Sequence, residues 1–197
     1  MKNYYKINEW RVIEDSFNPS MQEASESIFS LGNGRMGQRA NFEEKYSGQT
    51  FQGTYIAGVY YPDKTRVGWW KIGYPEYFAK VLNAPNWIGI NVSVNGIELD
   101  LNSCKIHSFY RELNMKEGFL LRKFQVSLSN GNEIEVEAKR FLSIADDEIG
   151  AIRYAVKSLN FDGEISFTPY IDGNVKNRDA NYDEVFWDIE ENKAATG

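Results

Sequence analysis

The stretch Ser30–Gln38, SLGNGRMGQ, places Gly32, Gly34 and Gly37 in the spacing G-x-G-x-x-G. That spacing cradles a pyrophosphate when the glycines end a strand and open a helix, with an acidic residue about 20 positions on to meet a ribose. Here the following residues, QRANFEEKYSGQTFQGTY, bring Gly48 and Gly53 early and form no helical apolar stripe. The glycines are therefore read as a tight turn. This reading predicts positive φ at one or more of the three, a strand on either side, and no long helix opening at Gly34. Arg35 and Arg39 stay open: they face a further domain or pair with Glu43 or Glu44.

Paired carboxylates are the other chemistry worth testing, since glycoside cleavage and many proton transfers need an acid on one side of a bond. The candidates are Glu43 with Glu44, Asp146 to Glu148, and Asp179 with Asp183 and Glu184. All lie in polar runs or turns and read as solvated surface, so no catalytic residue is assigned. His107 is the only histidine and Cys104 the only cysteine. A triad would have to use His107, which reads as a structural or exposed strand-edge residue. An internal disulfide is impossible, and no metal or cofactor-binding residue is assigned.

Ten aromatics fall between residues 51 and 90, including Tyr60, Tyr61, Trp69 and Trp70, in a Gly- and Pro-interrupted band. Their apolar faces and polar edges suit sugar rings and wet interfaces alike. Three readings compete: core filling, burial against another domain or subunit, and carbohydrate contact. Trp69, Trp70, Tyr60 and Tyr61 are the candidate contact residues.

The elements that would position these groups are mostly strands. IGINVSVNGIELDL reads as a hairpin about an Asn95-Gly96 type I′ turn, pairing Val94 with Ile97, Val92 with Leu99 and Ile90 with Leu101, all six on one face. FQVSLSNGNEIEVEA reads as a second hairpin with a three-residue loop, Asn130 to Asn132. It pairs Leu128 with Ile134, Val126 with Val136 and Phe124 with Ala138. GAIRYAVKSL puts Ile152, Tyr154 and Val156 on one face, and EISFTPYID alternates Ile165, Phe167 and Ile171, with Pro169 marking an edge strand or bulge. Glu26–Leu31 reads as a short strand, and Tyr74–Asn83 as the best helix. Short strands separated by turns predict an antiparallel sandwich.

The bulk numbers agree with a globular domain: 197 residues, 42% hydrophobic, 25% charged, net charge −6. The negative balance argues against a nucleic-acid partner. No apolar run reaches the roughly 18 residues of a membrane span. With no apolar stretch in MKNYYKINEW, the expectation is a cytoplasmic protein without a membrane. The polar tail after Gly173 offers no partner for Phe186 and Trp187.

ESIFSLGNGRMGQRANFEE, GTYIAGVY, APNWIGINVSVNG and RFLSIADDEIGAIRY occur in that order, and together resemble the N-terminal domain of glycoside hydrolase family 65. That is the family of maltose, trehalose and kojibiose phosphorylases. The resemblance covers roughly residues 5 to 190, and YYPDKTRVGWWKIGYPEYFAKVLNAPNW looks most like the maltose phosphorylase branch. It implies a mainly β fold, an antiparallel β-sandwich of the galactose-mutarotase-like supersandwich type with few short helices. This sandwich, residues 1–175, would precede an (α/α)6 barrel, with 176–197 as the start of the linker. It implies a parent enzyme in which inorganic phosphate attacks a disaccharide with inversion, a glutamic acid protonates the leaving oxygen, and no cofactor is used. The catalytic glutamate and the phosphate site belong to the barrel, so none is carried onto residues 1–197. The chain alone is expected to be inactive, with its own barrel as partner, a disaccharide as the parent's substrate and a homodimer as the parent's compatible assembly. A free-standing carbohydrate-binding module, or a trehalose or kojibiose phosphorylase as the parent, is the alternative.

Overall fold

The computed structural model describes residues 4–65, 73–178, 185–188 and 190. In chain order the elements begin with β1 (Lys6–Ile7), β2 (Arg11–Glu14), a 3-10 turn (Pro19–Met21) and α1 (Gln22–Ile28). Next come β3 (Leu31–Gly32), β4 (Met36–Gln38), β5 (Thr54–Ile56), β6 (Tyr60–Lys64) and β7 (Tyr77–Val81). The second half holds β8 (Ile90–Val94), β9 (Ile97–Glu98), β10 (Lys105–Asn114), β11 (Phe119–Ser127), β12 (Glu133–Leu142), β13 (Gly150–Ser158) and β14 (Ile165–Pro169).

The architecture is an antiparallel β-sandwich. One layer is a six-stranded sheet in the order β1-β2-β10-β11-β12-β13. The alternation of its long strands is clearest in β12. In β12, Ile134, Val136, Ala138, Arg140 and Leu142 are buried, while Glu135, Glu137 and Lys139 turn the other way. That period of two fixes which face meets the core. The opposing layer is β14-β8-β9. Between the layers, Val92, Val94, Leu99 and Leu101 pack with Phe109, Phe124, Val126, Ile134 and Val136. A smaller cluster gathers Phe29, Ala40 and Leu120.

The first hairpin forms as its turn dictates. Asn95 (φ 49°) and Gly96 (φ 78°) take the two left-handed positions of a type I′ turn, and Val94 pairs with Ile97. The Leu99 N–H still reaches the Val92 carbonyl at 2.8 Å. All six of its apolar side chains lie in or against one core cluster. The regular ladder stops at Glu98, so Ile90 has Pro169 of β14 as its strand partner and not Leu101. The second hairpin differs by two residues in register. Val126 pairs with Ile134, Phe124 with Val136 and Arg122 with Ala138. The Leu128 N–H bonds the Asn132 carbonyl at 2.9 Å, and Gly131 carries φ +84°. The three-residue loop is thus Ser129 to Gly131, with glycine at its left-handed position. A slip of two preserves the faces, so the inward set is unchanged.

Pro169 sits on an edge strand, since β14 flanks β8 on one side only. Of the alternation read there, only Ile165 reaches the core; Phe167 and Ile171 are exposed.

Two elements exchange type. Glu26 lies in α1, not in a strand. The Asn18 side chain caps the preceding turn by accepting from Ser20 N–H at 3.1 Å, and Pro19 follows it at the first position. The helix's inward stripe, Gln22, Ser25, Glu26 and then Phe29, keeps helical spacing but is three-quarters polar. Hydrophobic periodicity cannot show such a stripe. Conversely, Tyr77–Val81 is a strand, paired along its whole length with β6 from Tyr60↔Val81 to Lys64↔Tyr77. Its aromatic and branched side chains fit a pleated ribbon better than a helix. Among the described residues no helix is long and apolar enough to cross a membrane.

Candidate functional site

Glu43 and Glu44 are not solvated surface. Each is 3% exposed, inside an irregular strap, residues 39–46, that runs between the sheets. A buried irregular backbone is costly because its polar groups lack ladder partners. Here arginines of the six-stranded sheet supply them. Arg140 donates to the Asn41 and Arg39 carbonyls at 3.0 and 2.8 Å and to Glu43 at 2.9 Å. Arg122 forks onto Glu44 at 2.5 and 2.6 Å and reaches Glu43 at 2.6 Å. Tyr154 of β13 adds a hydroxyl to Glu44 at 3.0 Å. The Ile90 N–H of the opposite layer bonds the Glu43 carbonyl at 2.8 Å, so the strap ties both layers.

A third arginine, Arg111, stands directly across the ladder from Arg122 and is fully buried. Its guanidinium lies 5.2 to 5.5 Å from the ring centres of Phe42, Phe109 and Phe29. It also contacts Glu14 at 3.3 Å and donates to Gln22 at 2.8 Å. Burial pulls its pKa down to about 10, with Glu14 resisting, so it remains a cation at neutral pH. Arg122, also against burial, is pushed above its ordinary value by Glu44 and Glu43. Burial opposes the charge on Glu43, but Arg140 and Arg122 outweigh it and hold that carboxyl below the usual range. A general acid needs its pKa raised. Glu43 is thus held in its charged form by its arginines and is not set up for proton donation.

The signal for these arginines was in the sequence and was missed. Arg122 falls in phase with Leu120, Phe124 and Val126; Arg140 with Ile134, Val136 and Ala138; Arg111 with Phe109 and Leu113. A charge in phase with an apolar face is a buried ion looking for partners.

The other candidates separate. Asp146 to Glu148 lie in the exposed loop after β12, where Glu148 pairs with Arg35 at 2.7 Å. Asp179, Asp183 and Glu184 lie outside the described residues. His107 sits at a bulge in β10, largely exposed, with Nε2 2.6 Å from the Ser127 hydroxyl. Arg39 pairs with neither Glu43 nor Glu44. It binds the Phe51 and Glu23 carbonyls at 2.8 and 3.0 Å and the Ser27 hydroxyl at 2.8 Å. Among the described residues no group of three His, Cys, Asp or Glu is placed to hold a metal.

The glycine segment is a turn. Gly32 pairs with Gly37, the Asn33 N–H bonds the Met36 carbonyl at 3.1 Å, and Gly34 has φ +90°. A positive φ at the first central residue alone is the pattern of a type II′ turn. The Asn33 Oδ1 accepts from the Arg35 and Met36 N–H groups at 3.0 and 2.7 Å. The next element is β4, not a helix, so no phosphate cradle forms.

What the described residues do present is an exposed ribbon. β6 and β7 form a two-stranded sheet of their own, and such a ribbon is marginal without something to pack on. Tyr60, Tyr61, Tyr77, Phe78 and Val81 are all at least 45% exposed. Trp69 and Trp70 lie outside the described residues. Tyr61 does have a neighbour: Phe186, 4.9 Å away between ring centres. Trp187 donates its indole N–H to the Asn83 carbonyl at 2.8 Å. The aromatics of the tail therefore have partners, contrary to the sequence reading. Asn83 is the fastening point, for its N–H also bonds Asn177 Oδ1 at 2.9 Å. Beside the ribbon runs a groove of about 360 Å³, lined by Gly34, Gly37, Ile56, Val59, Tyr60 and Val81 among others. The glycine turn and the aromatic ribbon, far apart in sequence, are two walls of one feature.

Comparison with known proteins adds the lineage. Residues 12–196 match the family model described as glycosyl hydrolase family 65, N-terminal domain. Over 186 residues the chain is 51% identical to maltose phosphorylase of Bacillus subtilis, covering 94% of this chain and 24% of that protein. It is 37% identical over 185 residues to alpha,alpha-trehalose phosphorylase of Thermoanaerobacter brockii, covering 89% of this chain and 23% of that protein. A solved structure assigned as a kojibiose phosphorylase from human microbiome superposes with a TM-score of 0.80 at 32% identity, over 89% of this chain and 23% of that one. The chain thus spans about a quarter of the length of the relatives it matches.

Proposed function

We propose a function from one premise: the chain belongs to glycosyl hydrolase family 65, as its N-terminal domain. It serves as the non-catalytic β-sandwich domain of an inverting disaccharide phosphorylase whose substrate is maltose. In the parent reaction inorganic phosphate attacks the anomeric carbon, the bond to the second glucose breaks, and a glutamic acid outside these residues protonates the departing oxygen. The products are β-glucose 1-phosphate and glucose. Phosphate takes the place of an activated water, so neither a second carboxylate base nor an organic cofactor is required.

The observation that carries the reading is the 51% identity to a maltose phosphorylase across nearly the whole chain. The geometry supports the non-catalytic part: the buried carboxylates Glu43 and Glu44 are each ion-paired with arginines of the six-stranded sheet. Within this reading residues 1–175 form the sandwich, and 176–197 begin the connection to the helical barrel that is the domain's partner. Tyr60, Tyr61, Trp69 and Trp70 are contact residues for that partner more than for sugar, because Tyr61 already packs against Phe186 of the connecting segment.

The test is an assay of phosphate-dependent cleavage by the full-length protein carrying this domain and by the 197-residue chain. Maltose cleaved by the full-length protein alone is the expected result. Activity in the isolated chain would overturn the non-catalytic assignment. Preference for trehalose or kojibiose would overturn the substrate.

A further inference from the structure

Asparagine precedes glycine at three places, Asn33-Gly34, Asn95-Gly96 and Asn130-Gly131. Each step lies in the turn between two paired strands. Glycine has no side chain to shield its backbone nitrogen or restrict its dihedrals, so at such a step that nitrogen can reach the preceding amide carbon once the turn opens. The fold holds the three side chains very differently. Asn33 is committed at both ends. Its Oδ1 accepts from the Arg35 and Met36 N–H groups, and its Nδ2 donates to the Ser143 and Asp147 carbonyls at 2.7 and 3.0 Å. That fills the whole hydrogen-bonding capacity of an amide side chain. Asn95 is held from the loop between β13 and β14. The Glu164 N–H bonds its Oδ1 and the Glu164 carbonyl takes its N–H, each at 2.9 Å. Gly163 lies so close to the amide that a Cβ there would come 2.2 Å from Oδ1. Asn130 is exposed, and its Oδ1 accepts from the Asn132 N–H at 3.0 Å, within its own loop. Two further bonds close that loop: Gly131 N–H to the Leu128 carbonyl at 2.9 Å, and the Asn160 side chain to the Gly131 carbonyl at 3.0 Å. Both lie beyond the last ladder pair, Ser127 with Glu133, so the loop can open while the β11–β12 register stays in place.

We infer that Asn130 is a site of spontaneous deamidation, and that the fold protects the two other Asn-Gly steps, Asn95 in part and Asn33 most. The modification is independent of the reaction the parent catalyses. In the opened loop the Gly131 nitrogen attacks Cγ of Asn130 and a new N–Cγ bond forms. The Cγ–Nδ2 bond breaks, the proton of the Gly131 N–H passes by way of solvent to Nδ2, and ammonia leaves. The product is a five-membered succinimide. Water then adds to one of its two carbonyls. Addition at Cγ breaks the new bond and gives aspartate. Addition at the main-chain carbonyl carbon breaks the original peptide bond and gives isoaspartate, with the chain continuing through Cγ. No oxidant or reductant takes part. Either product adds a negative charge to a chain of net charge −6. Isoaspartate also lengthens the main chain of a three-residue loop that Gly131 closes at φ +84°.

The experiment ages the full-length protein carrying this domain at mildly alkaline pH and follows the three Asn-Gly peptides by mass spectrometry, with aspartate and isoaspartate forms separated by elution. Asn130 is expected to convert about tenfold faster than Asn95, with Asn33 slowest. In concentrated urea the three rates should converge, because the chemistry of the three steps is the same and only the fold separates them. Earlier conversion of Asn95 or Asn33, equal rates in the folded protein, or no conversion at Asn130 while urea releases all three would each overturn the inference. A second protein, Asn160→Ala, removes the side chain that bonds the Gly131 carbonyl. Its Asn130 should deamidate about threefold faster, with Asn33 unchanged as the internal reference. An unchanged rate at Asn130 would also count against the inference, since opening of this loop would then not govern the reaction.

Discussion

The strap 39–46 and the ribbon β6–β7 are both segments that local structure alone would not hold, and they are completed in opposite ways. The strap is completed from inside. Its carbonyls and carboxylates meet Arg122 and Arg140, and its Phe42 lies 4.3 Å beneath the Arg122 guanidinium. The ribbon keeps five large side chains at least 45% exposed, with Phe186 against Tyr61 and the Asn177 side chain donating to the Val81 carbonyl among its contacts. The strap is a finished structure whose charges have no work left to do. On the function proposed above, the ribbon is half of a contact. The difference teaches where to look for function in this domain: not at the most perturbed ionisable groups, which are structural, but at neutral apolar residues held rigid in the open.

The contrast breaks or sharpens under substitution. The largest effect is expected from Arg122→Met, which leaves Glu43 and Glu44 buried without their main counter-ion. A loss of about 3–5 kcal/mol is expected from urea denaturation, with partial recovery when Glu44→Gln is added. A loss below about 1 kcal/mol would mean that the strap does not depend on its arginine.

Acid should open the same region next. The folded pKa of Glu43 lies below its unfolded value, so its stabilisation is complete above the ordinary carboxylate range near 4.5 and fades as pH falls through the lower folded value. Urea midpoints should fall with pH below about 5 in the native chain and fall less steeply in Glu43→Gln. Parallel profiles would assign the acid sensitivity to other groups.

Gly34→Ala should cost about 1–2 kcal/mol through φ +90° alone, because a Cβ there meets nothing within 4 Å. Gly37→Ala is the paired control. Its Cβ would make an ordinary 3.9 Å contact with Tyr55, so thermal melts should separate the two glycines clearly. Tyr60→Ser, on the exposed ribbon, should shift stability by no more than about 0.5 kcal/mol. A larger loss in the isolated domain would show the ribbon to be core after all.

The sandwich was legible because turns and alternation agree. Asn95-Gly96 and the phase of Val92, Val94 and Ile97 leave one register, and the pattern of β12 leaves one face. The second hairpin's slip of two was not legible, since both registers put the same residues inward and only the left-handed Gly131 decides. Helix α1 was hidden because Gln22, Ser25 and Glu26 bury polar atoms on its inner side. Nor could Glu43 and Glu44 be placed from their neighbours in sequence, because the arginines that bury them come from strands about 80 and 100 residues later. The ribbon's exposure was not legible either: the aromatic composition of residues 51–90 is compatible with core filling as well as with an open surface.

The buried arginine row also has a thermal consequence. Burying apolar surface gives unfolding its large positive heat capacity, whereas polar surface contributes with the opposite sign. Around Arg111, Arg122 and Arg140 the space between the sheets holds guanidinium, carboxylate and carbonyl groups beside the hydrocarbon. That half of the sandwich should therefore show a flatter dependence of stability on temperature than the half around Val94, Val126 and Ile134. Since the cost of desolvating ions falls on heating, the strap is the part whose hold weakens least as the temperature rises.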